Sequence, residues 1–211
     1  MKTKSFSWLF IIICVVALLS GCSAKPETDL LECDAATMTQ FPYNENGVIV
    51  DKHQKITPVA EHPGMVKIET YYVNEGKPIT VRAYEMCRTE VGATDSVVWS
   101  LQPSSTSGRL DWVLPVTEGF KKENYLGMNN TDYGGGIPVV DLWQKDGGVA
   151  IGLIEPVLRM ISMPVEWKRY ENKVSMALRY EFEWPVELNT GDTLHTFTAF
   201  RYEHKGDFFN A

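Results

Sequence analysis

The chain is short of the residue patterns that usually announce an enzyme. It contains no P-loop, no Gly-x-Ser-x-Gly elbow, no dinucleotide fingerprint and no zinc-protease motif. Phosphate cradling, serine hydrolysis and hydride transfer by those devices are therefore excluded. The four histidines, His53, His62, His195 and His204, are scattered. There is no His-x-x-x-His and no Cys-x-x-Cys, so no metal site and no cofactor is expected. Basic residues do not dominate either. The formal net charge is −7, which argues against nucleic-acid binding and against electrostatic docking on anionic lipid. No segment carries a helical apolar stripe longer than two turns, and no strand–helix alternation points to a barrel within these residues. Internal repeats and low-complexity tracts are absent.

Cysteine is also scarce, with four in 211 residues. Two of them fall in what reads as a processing signal. Lys2 and Lys4 make a basic start, and Trp8 to Leu19 is an apolar run too short for a confident membrane span. Leu19-Ser-Gly-Cys22 follows and resembles the bacterial lipobox. Residues 1–21 are then expected to be a lipoprotein signal peptide, with Cys22 lipidated as the first mature residue. A lipid anchor holds a protein to a membrane surface rather than through it. The expected location is the bacterial cell envelope, with Ser23 compatible with the outer membrane, facing the periplasm or the cell surface. Removing residues 1–21 deletes Lys2 and Lys4 and no acid, so the formal charge moves from −7 to −9. Residues 22–40 are polar and acidic and read as the lipidated cysteine and a flexible tether. Cys33 and Cys87 remain. In an exported protein they either form a disulfide or stay as two thiols, and the sequence leaves both open.

Residues 41–211 read as one domain, long enough to bury a good core. The pattern is β throughout. Val174, Met176, Leu178, Tyr180 and Phe182 are apolar at every second position, with Lys173, Ser175, Arg179 and Glu181 between them. That is the period of a strand with one buried face. Similar runs cover 65–73, 79–86, 96–101, 110–114, 149–154, 158–167 and 194–202. Turn residues separate them at 74–76, 103–108, 145–148, 171–172 and 189–192. Many short strands between regular turns predict an all-β, antiparallel β-sandwich.

One segment differs from the rest. Gly127-Met-Asn-Asn-Thr-Asp-Tyr-Gly-Gly-Gly-Ile-Pro-Val-Val-Asp-Leu-Trp143 runs on to Gly148-Val-Ala-Ile-Gly. Gly134, Gly135 and Gly136 permit a close approach to the backbone. Asp132, Tyr133, Asp141 and Trp143 set carboxylates and flat rings beside it. Carboxylates bind hydroxyls and aromatic rings stack on sugar faces, so these four are candidate substrate-binding residues. The bland alternative is structural: an inter-strand crossing for the glycines, a turn cap for Asp141, a core place for Trp143.

This segment, followed by Met163-Pro-Val-Glu166, Leu188-Asn-Thr-Gly-Asp192 and His204-Lys-Gly-Asp-Phe-Phe209, resembles the N-terminal β-sandwich of bacterial α-galactosidases of the melibiase type (glycoside hydrolase family 36 and relatives). The resemblance covers roughly residues 40–211. It implies a galactose-mutarotase-like super-sandwich. In such enzymes a (β/α)₈ barrel follows and carries two catalytic aspartates, which act with retention through a covalent intermediate. That barrel has no counterpart in these 211 residues, so no catalytic role passes to Asp132 or Asp141. The implied function is that of a non-catalytic domain supporting and rimming the sugar site of a barrel encoded in cis or separately. The implied partners are an α-galactoside or related oligosaccharide, that barrel, and a membrane through the lipid. The alternative is a surface-anchored carbohydrate-binding lipoprotein without hydrolase activity.

Overall fold

A computed structural model describes residues 31–33, 43–45, 48–93, 97–102, 112–126, 137–155 and 161–210. The strands are β1 (Leu31–Cys33), β2 (Tyr43–Glu45), β3 (Val48–Pro58), β4 (Met65–Asn74), β5 (Ile79–Gly92), β6 (Val98–Leu101), β7 (Val113–Val116), β8 (Lys121–Leu126), β9 (Val139–Gln144), β10 (Gly147–Leu153), β11 (Ile161–Lys168), β12 (Lys173–Leu188), β13 (Thr193–His195) and β14 (Ala199–His204). A 3₁₀ turn, Phe208–Asn210, follows.

These strands form two antiparallel sheets. A five-stranded sheet has the order β1-β5-β12-β11-β8. A nine-stranded sheet has the order β2-β3-β4-β14-β10-β9-β6-β7, with β13 also paired to β4. The all-β sandwich read from the sequence is the observed architecture. Residues 31–33, inside the segment read as a tether, add an edge strand to β5.

The core lies between the sheets. Met86, Met163, Val165, Met176 and Leu178 enter it from the smaller sheet, and Tyr72, Val140, Leu142 and Ile151 from the larger. Removing such side chains from water is the main stabilising term. In β4 the buried residues alternate through Ile68, Thr70, Tyr72 and Asn74. Thr70, Tyr72 and Asn74 carry polar groups, and the opposite sheet engages each of them. In β5, Cys87 pairs with Leu178 and Glu85 with Arg179, so Met86 is the extra residue of a bulge. A bulge leaves carbonyls without ladder partners. Tyr72 Oη donates to the Glu85 carbonyl at 2.7 Å and Thr70 Oγ1 to the Met86 carbonyl at 2.8 Å. Both bonds cross from one sheet to the other and satisfy groups that burial would otherwise penalise.

Turn chemistry closes the hairpins. Buried Asn74 donates Nδ2 to the carbonyls of Lys77 and Leu188, and its Oδ1 accepts from Gly76 N. The Asn189–Asp192 turn closes on itself through Asn189 N to Asp192 Oδ2 at 2.8 Å. The predicted single strand over 194–202 is instead two, β13 and β14. Thr196 N donates to Thr70 O, whereas Thr198 N donates to the Glu155 carboxylate, so the ladder breaks between them.

The candidate disulfide is not made. Cys87 is a free, buried thiol. Cys33 sits opposite Val81 in the β1–β5 register, six residues along β5 from Cys87. At about 3.3 Å per residue that is on the order of 20 Å, far beyond the reach of an S–S bond.

Candidate functional site

The outer face of the nine-stranded sheet, the side away from the core, carries two of the candidate residues, Asp141 and Trp143. Its centre is the β14–β10–β9–β6 block. In β10, Gly148, Ala150 and Gly152 lie on the face opposite Val149, Ile151 and Leu153, and the rings of β14 bury Ala150 and Gly152 as well. Opposite them in β14 stand His204, Tyr202 and Phe200. Large rings therefore lie across a nearly bare strand. A Cβ on Gly152 would sit 2.4 Å from the Phe200 ring, and one on Gly148 would sit 2.7 Å from His204 Nε2. Small residues here are a requirement of space.

The bare backbone at Gly148 lets His204 reach across β10 to β9. His204 Nε2 lies 3.0 Å from Asp141 Oδ1, and both side chains are wholly buried. Burial pushes the Asp141 carboxyl above its ordinary value, against the opposing pull of the His204 hydrogen bond. Its second oxygen, Oδ2, and His204 Nδ1 are buried and have no partner among the described residues. Asp141 is thus neither a turn cap nor exposed to solvent. It sits in mid-strand and fastens β14 to β9.

Trp143, two residues on, shares this face. It is 7% exposed and packs against Phe208 at a ring separation of 5.4 Å. Directly opposite Trp143 on β6 is Trp99, which is 38% exposed. The two tryptophans border an open cleft of about 360 Å³, completed by Val97, Gln144, Lys145, Gly206 and Asp207. The Gln144 side chain is oriented by a 2.8 Å bond from Nε2 to the Gly92 carbonyl. Asp207 Oδ1 accepts from Phe209 N at 3.1 Å.

Of the residues singled out in the sequence, Asp141 and Trp143 are neighbours on this face. Asp132, Tyr133, Gly134, Gly135, Gly136 and Cys22 lie outside the described residues. His204, Trp99, Gln144, Lys145 and Asp207 are not among the four candidate substrate-binding residues. The signal for His204 was present, in the Gly-x-Ala-x-Gly run of β10 set against the Phe-x-Tyr-x-His run of β14. No group of His, Cys, Asp and Glu able to hold a metal occurs among the described residues. The arrangement offers aromatic and hydrogen-bonding contacts. Asp141 lies beside the His204 imidazole, and its side chain is wholly buried.

The sequence matches no family model and no curated protein. Solved structures do share the fold. The galactosidase domain of the α-galactosidase–sucrose kinase AgaSK superposes with a TM-score of 0.55 at 17% identity, over 74% of this chain and 22% of that one. The family 36 α-galactosidase AgaA of Geobacillus stearothermophilus, in complex with 1-deoxygalactonojirimycin, superposes with a TM-score of 0.56 at 10% identity, over 74% and 22%. The same enzyme in complex with raffinose gives 0.55 at 10% identity, over 75% and 22%. The chain thus spans about 22% of the length of the structures it resembles. What the comparisons establish is the fold, that of a β-sandwich found within family 36 α-galactosidases.

Proposed function

We propose that this chain is a non-catalytic β-sandwich domain of an α-galactosidase-like glycoside hydrolase, acting beside a (β/α)₈ barrel that lies outside these residues. The observation that carries the reading is the shared fold over about three quarters of the chain and only 22% of each neighbour. Hydrolysis of a glycoside takes two carboxyl groups facing each other across a cleft. The one carboxylate of the candidate site with a buried histidine partner, Asp141, is enclosed and engaged. The role left for the domain is support: it positions a barrel and helps hold an α-galactoside or related oligosaccharide. AgaA has been solved with raffinose, which fits a ligand of that class.

In this reading the mature chain starts at lipidated Cys22 and works at the cell envelope. Detergent-phase partitioning that is lost in Cys22→Ala tests the anchor, and partitioning unchanged in that variant contradicts it. The functional reading is tested by isolating the tagged chain from the cells that produce it under mild conditions. α-Galactosidase activity that accompanies the chain, and is lost when the chain is stripped of associated protein, supports a separate barrel. A folded chain with no associated activity contradicts it.

A further inference from the structure

We infer that the cleft bordered by Trp99 and Trp143 is a binding site for one pyranose ring of a neutral saccharide. This deepens the functional reading above and rests on it for the choice of galactosides as probes. The cleft itself is argued from its own residues.

Trp99 stands on β6 with its side chain 38% exposed, although every second residue of that strand is buried. An indole left half open beside a cavity offers a flat apolar face with a polar N–H at its edge. The C–H face of a pyranose matches such a surface. The volume, about 360 Å³, falls at the lower end for small-ligand sites and suits a single ring better than an extended chain. The polar groups around the indole complete the match. Gln144 borders the cleft beside Trp143, with its Nε2 engaged on the Gly92 carbonyl. Lys145 and Asp207 border the same cleft with opposite charges. Their fields offset one another at the mouth, which favours a neutral polyol over a phosphate or an acidic sugar. Trp143 supplies the base of the cleft. Its ring is held by Phe208, and the β9 strand beneath it is fastened by the Asp141–His204 pair. The platform is therefore set before a ligand arrives, which limits the entropy lost on binding.

The test is titration of raffinose, melibiose and galactose into the purified protein, followed by calorimetry and by tryptophan indole resonances. Wild type is compared with Trp99→Ala, Gln144→Ala and, as a control on the other sheet, Trp184→Ala. The expected result is saturable binding, weakened about tenfold or more by Trp99→Ala and several-fold by Gln144→Ala. Trp184→Ala, at a side chain 77% exposed, leaves affinity unchanged. Should Trp99→Ala fail to fold, Gln144→Ala and the shift of the wild-type Trp99 indole carry the test. Binding that persists unchanged in both cleft variants overturns this site while leaving the functional reading intact. No saturation by any of the three sugars up to about 100 mM overturns the site as well. The co-isolation of activity then decides the functional reading separately.

Discussion

His204 reaches Asp141 over Gly148, a residue that belongs to neither of their strands. The 3.0 Å bond joins β14 to β9 across β10 and exists only because the intervening residue has no side chain. Gly148→Ala would place a Cβ 2.5 Å from the Leu142 carbonyl and 2.6 Å from Trp143 Cβ, as well as against His204. Two of these neighbours cannot swing away. The substitution is expected to destabilise the fold by at least about 2 kcal/mol, in the range of overpacked cores. A urea midpoint equal to wild type would contradict the claim that space is the reason for the glycine.

The pair also sets a pH dependence. The Asp141 carboxyl is raised by burial, so the folded chain holds its proton more tightly than the unfolded one. Its contribution to stability is full below the ordinary aspartate range and is lost as pH rises through the raised value. Asp141→Asn keeps a hydrogen-bonding group and removes the titration. The variant is expected to gain on wild type as pH rises from about 4, measured as the difference in urea midpoints. A constant difference across the range would show that Asp141 does not titrate in this way.

Tyr72→Phe tests the bond between sheets. It removes only the hydroxyl and leaves the Glu85 carbonyl at the bulge buried without its donor. The expected loss is about 1–3 kcal/mol. No change in the unfolding midpoint would mean that the bulge carbonyl finds another partner.

Cys87 provides an alkaline signature. Burial first, and the Glu85 charge second, push its thiol from 9.0 up to about 12. Between those values the unfolded chain loses the proton and the folded chain keeps it. Stability present below pH 9 therefore declines above it, by up to about 1.4 kcal/mol per pH unit. Cys87→Ala is expected to flatten that decline, and the wild-type thiol to react with Ellman's reagent only as fast as the chain opens. Rapid modification of the native protein, with Cys87→Ala as reference, would contradict its burial.

Much of the sandwich was legible because inward strands must alternate. β4 follows the period-two pattern in its burial, β12 follows it in its apolar residues although Ser175 and Ala177 between them are buried as well, and the Asn189–Asp192 turn carries its own hydrogen-bonding residues. β3 and β8 escaped notice for the complementary reason. β8 is the edge of its sheet and starts Lys-Lys-Glu-Asn, and most of β3 is exposed, so neither shows an apolar stripe. β9 was hidden by its place in the glycine-rich segment, where Asp141 and Trp143 read as binding groups before they read as a strand. The site itself was only half visible. Asp141 and His204 are 63 residues apart and meet through strand order, which composition and spacing do not encode. Trp99 and Trp143 likewise become neighbours only through the β6–β9 register.

The most direct test of the central claim is turnover of a chromogenic α-galactoside by the purified chain alone. The account predicts a rate equal to the blank, with the protein folded and its Tyr72 and Trp143 environments intact. Saturable turnover that disappears in Asp141→Asn or Asp132→Asn would show that the sandwich holds its own catalytic carboxylates, and the account of a supporting domain would be wrong.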